Sequence, residues 1–501
     1  MSVTAEARAD SATFNSLSPA TGEVVATLPV DGPEQVAAAV VRAREAAGWW
    51  RELGFAGRRR RLRTFQGVLL RGRDELLDLI HRENGKPIVD AWIEHTLALE
   101  HIGWAARHAG KVLGRQRPGG SLMLANISAR LEYQPLGVVG VIGPWNYPLF
   151  TPMGSIAYAL AAGNTVVFKP SEYTPAVGRW LADAFADVVD QRPVFQVVTG
   201  FGETGAALCR SGVNKIAFTG SAPTGRKIMA TCAETLTPVL LELGGNDAMI
   251  VDDDADVAAA ARAALWGGCA NAGQTCIGIE RVYATAAVYD SLVDKVRELA
   301  GPLRAGAGSD AALGPITMPK QVELIEAHVR DALDRGARTV VGGLESIHAP
   351  YVEPIVLVDV PEDARLMQEE TFGPVLPIIK VQDADEAVAR ANASPFGLGA
   401  AVFAKRRGVD IARRLQTGMV SVNSMQAFAG LPSLPFGGVG DSGFGRIHGA
   451  DGLREFTRPK ATAVQRFKLP AELLAFDRPA WLPRAVQRVD ELRYGRRRPP
   501  G

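Results

Sequence analysis

The sequence predicts an α/β protein with parallel sheet, divided into more than one domain. Three observations carry that expectation. The chain has 501 residues, too many for one hydrophobic core. Short β-branched runs recur: Gly137-Val138-Val139-Gly140-Val141-Ile142-Gly143, Thr165-Val166-Val167-Phe168 and Phe195-Gln196-Val197-Val198. Ala/Leu-rich helical stretches over residues 156–162 and 177–189 lie between them. Strand and helix alternating at this pitch make βαβ units, whose connected strands run parallel.

The elements follow in order. Residues 13–30 read as an arm with a hairpin, turning at Pro19 and Gly22. Residues 33–113 carry apolar positions three and four apart and read as helices, ending at the turn Arg117-Pro118-Gly119-Gly120. Within them, Arg58 to Arg61 read as a solvated helix face. Residues 124–134 alternate as a strand would. The βαβ section fills residues 137–198. A second alternating section follows Gly244, with strands Ala248-Met249-Ile250-Val251 and Arg281-Val282-Tyr283-Ala284 and a helix over residues 258–266. Gly244-Gly245 breaks the pattern, so a domain boundary is expected at residues 242–245. The tail, residues 466–501, is rich in Arg, Pro and Leu and ends in Arg496-Arg497-Arg498-Pro499-Pro500-Gly501. Its amphipathic piece, residues 482–492, suits a partner subunit or a membrane surface. The plainer reading is a solvated extension packed on its own protein.

Lys+Arg 55 against Asp+Glu 54 gives no global field, which excludes a dominant nucleic-acid or acidic-membrane partner. Residues 1–12 have neither a signal-peptide nor a transit-peptide pattern. No apolar run is long enough for an integral membrane segment. The expected compartment is the cytoplasm. Four cysteines (Cys209, Cys232, Cys269 and Cys276) in irregular spacing, without a CxxC, suit free thiols in a reducing environment. No metal site is expected.

Several residues could carry chemistry. Cys276, in Asn271-Ala272-Gly273-Gln274-Thr275-Cys276, follows a glycine that lets the backbone turn sharply. As a nucleophile it needs to become a thiolate, which an electropositive and partly open setting favours. As a structural cysteine it would simply be buried. Asn146, in Pro144-Trp145-Asn146-Tyr147-Pro148, stands in a rigid turn after a strand. Its amide suits a developing oxyanion, or the cap of the next helix. Glu242 interrupts the apolar run Leu240-Leu241-Glu242-Leu243-Gly244-Gly245. It is either a general base with a raised pKa or half of a buried ion pair. Phe218-Thr219-Gly220-Ser221, with Gly225 four residues on, reads as strand, glycine turn and helix start, a weak phosphate signal. Lys169 and Glu172 end an earlier strand and suit ribose hydroxyls, Glu172 repelling a 2′-phosphate; they also suit a surface ion pair. Glu370-Thr371-Phe372-Gly373-Pro374 and Leu434-Pro435-Phe436-Gly437-Gly438-Val439-Gly440 are turns whose aromatic residue belongs to a site or to the core.

Together these runs resemble the aldehyde dehydrogenase superfamily over about residues 14–460. Seven motifs stand in that family's order: Pro144-Trp145-Asn146-Tyr147-Pro148, Lys169-Pro170-Ser171-Glu172, Phe218-Thr219-Gly220-Ser221, Leu241-Glu242-Leu243-Gly244-Gly245, Gly273-Gln274-Thr275-Cys276, Glu370-Thr371-Phe372-Gly373-Pro374 and Pro435-Phe436-Gly437-Gly438. The resemblance implies a Rossmann-type NAD-binding domain from residues 1–116 and 136–244. It further implies an α/β catalytic domain over residues 245–442. Residues 117–135 and 455–465 would form a small bridging β-sheet for a homodimer or homotetramer. It assigns no role to the extension, residues 466–501.

The resemblance also implies roles. Cys276 attacks a small-molecule aldehyde, and the Asn146 side chain and the Cys276 N–H hold the oxyanion. Hydride loss leaves a thioester, and Glu242 activates the water that hydrolyses it to the acid. Lys169 and Glu172 hold the adenosine ribose of NAD, with NADP also possible. Gly220, Ser221 and Gly225 serve the pyrophosphate, and Trp145, Glu370 and Phe372 the nicotinamide end. Tyr147 and Phe436, with Trp145 beside them, line the substrate tunnel, which suits an apolar or aromatic aldehyde. The aliphatic, aromatic and semialdehyde branches all remain open. A semialdehyde would need an Arg or Lys near the mouth, and Arg281 is the nearest in sequence. Ile277 follows the nucleophile with no neighbouring cysteine, so no vicinal disulfide is expected. A reductive or coenzyme A-dependent relative using the same thiol is the enzymatic alternative; members that release the acyl group to coenzyme A typically lack the base, so Glu242 points to hydrolysis. A non-catalytic binding protein of this fold would have lost the three groups that Asn146, Glu242 and Cys276 retain.

Overall fold

The computed structural model describes residues 12–121, 124–308, 311–472 and 474–495. The leader reading of residues 1–11, residues 122–123 of the bridging segment and the Arg496-Arg497-Arg498 run lie outside them. The described residues gather into two compact units, one from Met1–Val112 with Pro135–Thr457, the other from Leu113–Gln134 with Arg458–Gly501.

The first unit opens with the hairpin β1 (Thr13–Leu17) and β2 (Val24–Pro29), paired antiparallel with Phe14 opposite Leu28. Four helices follow: α1 (Pro33–Glu52), α2 (Gly54–Arg71), α3 (Arg73–Asn84) and α4 (Ile88–Leu113). The reading of Arg58 as solvated is corrected here. Arg58 is buried, its Nε donates to Ala161 O at 3.2 Å and its Nη1 to Arg51 O at 3.1 Å. Burial pushes its pKa down to about 10. Its guanidinium satisfies carbonyls at a helix junction, a use that charge patterning does not reveal. Arg59 and Arg60 are exposed as expected.

Next come β4 (Val138–Ile142), α5 (Phe150–Ala162), β5 (Thr165–Lys169), α6 (Pro175–Ala186), β6 (Phe195–Val197), α7 (Gly202–Arg210), β7 (Lys215–Thr219), α8 (Ala222–Ala233) and β8 (Val239–Glu242); β3 belongs largely to the second unit. These strands form a sheet in the order β8-β7-β4-β5-β6, every neighbouring pair parallel. Every residue of β4 and β5 is buried, which is why both read as unbroken apolar runs. The strand order reverses at β4, flanked by β5 and β7. This is the Rossmann arrangement, and a ligand crevice belongs at the carboxyl ends of β4 and β7. A short sixth strand, Gly443–Phe444, pairs antiparallel with β8 and sets Gly443 opposite Glu242.

Residues 243–246 carry the chain into a second sheet. It begins with β9 (Asp247–Val251), α9 (Val257–Cys269), β10 (Ile279–Thr285) and α10 (Tyr289–Ala300). Asp256 caps α9 by accepting from Ala259 N at 3.0 Å. The sheet has seven strands in the order Arg338–Val341, Ile355–Val358, Val375–Val381, β10, β9, Ala400–Phe403, Ser421–Val422. Only Arg338–Val341 runs antiparallel to its neighbour. A continuous core of Ile, Val, Leu and Ala side chains packs around it.

In the second unit β3 (Ile127–Pro135) pairs with Thr457–Gln465 as a two-stranded sheet. Asn126 fastens its end, giving Nδ2 to Phe467 O at 3.2 Å and accepting Arg466 N at 2.8 Å. The amphipathic piece of the tail is a helix over Trp481–Tyr494 in which no residue is buried. The helix is largely solvated, with Leu482, Ala485 and Val486 partly covered. Among the described residues no helix is long and apolar enough to cross a membrane.

Candidate active site

The turn after β4 is held by residues outside the motifs. Glu94, on α4, accepts Leu149 N at 2.7 Å and Phe150 N at 2.9 Å through Oε1. It therefore caps α5, and Asn146 is free of that task. Lys86 Nζ donates to Glu94 Oε2 at 2.7 Å and to Asn146 O at 2.7 Å, and both ionic side chains are wholly buried. The same ammonium lies 4.0 Å from the centre of the Tyr147 ring. Asn146 is thus clamped through its carbonyl, which also accepts Asn271 Nδ2 at 2.9 Å. Its own Nδ2 donates to Gln274 O at 3.0 Å. A side-chain amide has two N–H groups, so one remains for an incoming oxyanion.

Cys276 sits in a loop bent by three successive left-handed residues, Asn271 (φ 52°), Ala272 (φ 56°) and Gly273 (φ 74°). Only glycine fits the last: a Cβ there would come within 2.1 Å of the Gly373 carbonyl carbon. Gln274 locks the loop, accepting Thr317 N at 2.8 Å and donating to Asn271 O at 2.9 Å. Thr275 Oγ1 meets Tyr147 Oη at 2.9 Å. Cys276 is half-buried, whereas Cys209, Cys232 and Cys269 are buried. All four thiols are free.

The electropositive setting that would favour a thiolate does not surround Cys276 among the described residues. Burial pushes its thiol pKa up, and the charges of Glu242, Glu370 and Asp247 push it further; the Ile277 N–H opposes them. At neutral pH it rests as the thiol, and its proton must leave as it attacks. Glu242 is 2% exposed, makes no ion pair, and its Oε1 has no hydrogen-bond partner. Burial raises its pKa to about 8 against the pull of Arg446. The ion-pair alternative for Glu242 therefore falls, and a carboxyl poised near the working pH remains.

Two cavities meet at Cys276 and Thr219, which line both. One is an open cleft of about 1910 Å³ at the carboxyl ends of β4, β5 and β7. Trp145, Lys169, Glu172, Gly220, Ser221, Glu370 and Phe372 line it. Lys169 Nζ and Glu172 Oε2 are 3.4 Å apart, the lysine buried and the carboxylate part-exposed. α8 begins at the cleft with Ser221 as N-cap, so its free first-turn N–H groups suit an anion there. Gly225 seats that helix tightly: a Cβ would lie 2.7 Å from Leu243 Cδ2. Trp145 and Phe372 stand edge to face, 5.5 Å apart. Glu280 fixes the Phe372 turn by accepting Thr371 N and Phe372 N, each at 2.8 Å. Gly244 leaves Glu370 room, since a Cβ would sit 2.2 Å from its Oε2. Helix N–H groups for pyrophosphate, a carboxylate for ribose hydroxyls and an aromatic wall make a donor set that fits a dinucleotide.

The other cavity is a smaller pocket with an apolar lining. Tyr147, Phe436, Glu242, Asp90, Phe150 and His448 are among its lining residues. Trp145 lines the cleft and not this pocket, which corrects its place beside the tunnel. Arg281 is also placed elsewhere: it is buried, and its Nε and Nη2 donate to Asn246 O at 3.1 and 2.7 Å. Sequence reasoning missed Lys86, Glu94, Asp90 and Glu280. Lys86 and Glu94 offered a faint signal, an eight-residue spacing of opposite charges at a helix start. His448 stands out in sequence only as a departure, with Gly449, from the commonest family form, a variation that points to the fatty, aromatic or semialdehyde branches.

A nucleotide cleft at the switch point of a parallel sheet, meeting an apolar pocket at a thiol, defines a dinucleotide-dependent oxidoreductase. The model of the aldehyde dehydrogenase family matches residues 6–462, and the chain belongs to that family. It is similar to 4,4'-diapolycopene aldehyde oxidase of Methylomonas, 35% identical over 94% of this chain and 88% of that one. It is likewise similar to glutarate-semialdehyde dehydrogenase of Pseudomonas aeruginosa, 36% identical over 88% of this chain and 92% of that one. Among solved structures, lactaldehyde dehydrogenase from Escherichia coli superposes with a TM-score of 0.87 at 31% identity, covering 91% of this chain and 97% of that one. The chain is an NAD(P)-dependent enzyme that oxidises an aldehyde to a carboxylic acid.

Proposed function

We propose that this chain oxidises an apolar aldehyde through a covalent thioester on Cys276, with NAD as its preferred cofactor. The observation that carries this reading is the meeting of pocket and cleft at Cys276, with Glu242 lining the same pocket. The Cys276 sulfur attacks the aldehyde carbon and a C–S bond forms, while the thiol proton passes to solvent through the open cleft that Cys276 also lines. The carbonyl pair moves to oxygen, where the free Asn146 N–H and the Cys276 N–H hold it. A nicotinamide held beside Trp145, Glu370 and Phe372 would supply the hydride acceptor that lets the carbonyl re-form. A thioester remains on the sulfur. Glu242 then takes a proton from water, the water oxygen attacks the thioester carbon, and the C–S bond breaks to release the acid. Lys86 and Glu94 act as positioning residues for Asn146.

Glu172 favours NAD, because its carboxylate accepts ribose hydroxyls and repels a 2′-phosphate. Lys169 supports it there, with Gly220, Ser221 and Gly225 at the pyrophosphate and Trp145, Glu370 and Phe372 at the nicotinamide. Tyr147 and Phe436 shape the pocket. None of the described residues lining that pocket is Arg or Lys, so an aliphatic or aromatic aldehyde suits it better than a carboxylate-bearing semialdehyde. Residues 1–116 and 136–244 serve as the cofactor domain, 245–442 as the catalytic domain, and 117–135 with 455–465 as the strands that make a homodimer or homotetramer. The four free thiols suit the reducing cytoplasm. The test is a panel of aldehydes with NAD or NADP, followed by absorbance of the reduced cofactor. Turnover that Cys276→Ala abolishes is expected. Turnover unaffected by Cys276→Ala, or none with any aldehyde, refutes the reading.

A further inference from the structure

His448 lines the pocket that holds Cys276, yet the mechanism above does not use it. It is 1% exposed, and neither of its ring nitrogens has a hydrogen-bond partner. Its backbone is left-handed (φ 61°), a strained conformation for a non-glycine residue. Gly154 makes room for the ring, since a Cβ there would lie 2.6 Å from His448 Nε2. The structure therefore crowds an unpaired imidazole into an apolar wall where a phenyl ring would leave no polar atom unsatisfied.

His101 sharpens the chemistry. Its ring centre is 3.8 Å from that of His448. Its Nε2 lies 3.0 Å from Ala429 O, an acceptor, so that nitrogen carries the proton. Its Nδ1 is then a bare lone pair, also without a partner. Burial lowers the pKa of both rings, that of His101 to about 4, so the pair is neutral. The three unpaired nitrogens thus hold one proton and two lone pairs. Even if one ring donates to the other, a lone pair remains that only an outside N–H or O–H can satisfy. The hydroxyl of Tyr158, whose ring packs against both, donates to Pro432 O at 3.2 Å.

The pair stands away from the reacting carbon. On α4, Asp90, Ile93 and Leu97 line the pocket at spacings of three and four, and His101 is the next step on that face. Asp90 accepts Asn271 N at 3.2 Å and so marks the nucleophile's loop. At about 1.5 Å per residue, His101 lies about 16 Å along the helix from Asp90.

We propose that His448, backed by His101, accepts a hydrogen bond from a hydroxyl on the body of the substrate. The preferred aldehyde is then aromatic or long-chain and otherwise apolar, with a hydroxyl remote from the aldehyde carbon. This inference rests on the reading of the pocket as the aldehyde channel. The test uses three aldehydes that differ only in one remote substituent: hydroxyl (donor and acceptor), methoxy (acceptor only) and methyl. The wild type should favour the hydroxyl compound by about 10-fold in kcat/KM over both others, the scale of one buried hydrogen bond. His448→Phe should bring the three ratios close to one, mainly through KM. His448→Gln, which restores an acceptor oxygen, should keep the preference. Equal use by the wild type, equal use of methoxy and hydroxyl, or a preference that survives His448→Phe overturns the proposal. If His448→Phe does not fold, the wild-type ratios and His448→Gln decide. Equal turnover of all three leaves the aldehyde channel standing and removes only the histidine role; no turnover of any removes both.

Discussion

Lys86→Met is the perturbation that best separates what holds the site from what reacts in it. The change removes an ammonium that makes bonds of 2.7 Å to Glu94 and to the Asn146 carbonyl, with both ionic side chains wholly buried. Glu94 would keep its two N–H donors from Leu149 and Phe150 but lose its counter-charge. Breaking a buried pair by removing one partner costs about 3–5 kcal/mol. At about 2–4 °C per kcal/mol for a large domain, the thermal midpoint should drop by on the order of 10 °C. The Asn146 carbonyl would retain only the Asn271 bond, beside the Nδ2 bond to Gln274 O. Loss of a well-placed oxyanion donor costs about 10²–10³ in kcat, and displacement should cost a substantial part of that, roughly 10-fold or more. Adding Glu94→Gln removes the stranded charge and should recover much of the midpoint but little of kcat, because Asn146 stays loose. The assays are thermal unfolding and steady-state turnover of the single and double variants. A Lys86→Met enzyme with unchanged midpoint and kcat would refute the clamp. A double variant no more stable than the single one would refute the charge argument.

Two further outcomes follow from the same geometry. Glu242 acts as a base only when deprotonated, and burial places its pKa at about 8. kcat should therefore climb as pH rises from 6 towards 8 and level off above it, and a flat profile over that range would contradict the assignment. Glu172→Gln removes the charge facing a 2′-phosphate, so the NAD over NADP preference in kcat/KM should fall by about 5-fold, the scale of ~1 kcal/mol for a part-exposed charge; an unchanged ratio counts against its role.

The βαβ section was readable because β4 and β5 are buried on both faces and leave continuous apolar runs. Asn146, Gly220 and Ser221 were readable with it, since each stands just past the carboxyl end of a predicted strand. Other features depend on tertiary partners that leave no periodic trace. The Gly443–Phe444 strand that backs Glu242 is two residues long and comes from 201 positions away in the chain, counting Gly443 against its partner Glu242. Arg58 was misread because a buried arginine that feeds carbonyls looks, in sequence, like any solvated one. The electrostatics of Cys276 were not legible for a related reason. The carboxyls of Glu370 and Asp247 act on the thiol only once two sheets converge, and nothing near Cys276 in sequence announces them.

The central claim is a thioester on Cys276 that Glu242 resolves. The direct measurement is the intact mass of Glu242→Gln after mixing with NAD and a substrate aldehyde, alongside the amount of reduced cofactor formed. The account predicts about one equivalent of reduced cofactor per chain and one acyl adduct, located on Cys276 by peptide mapping. Undiminished steady turnover, or an acyl group on another residue, would contradict it.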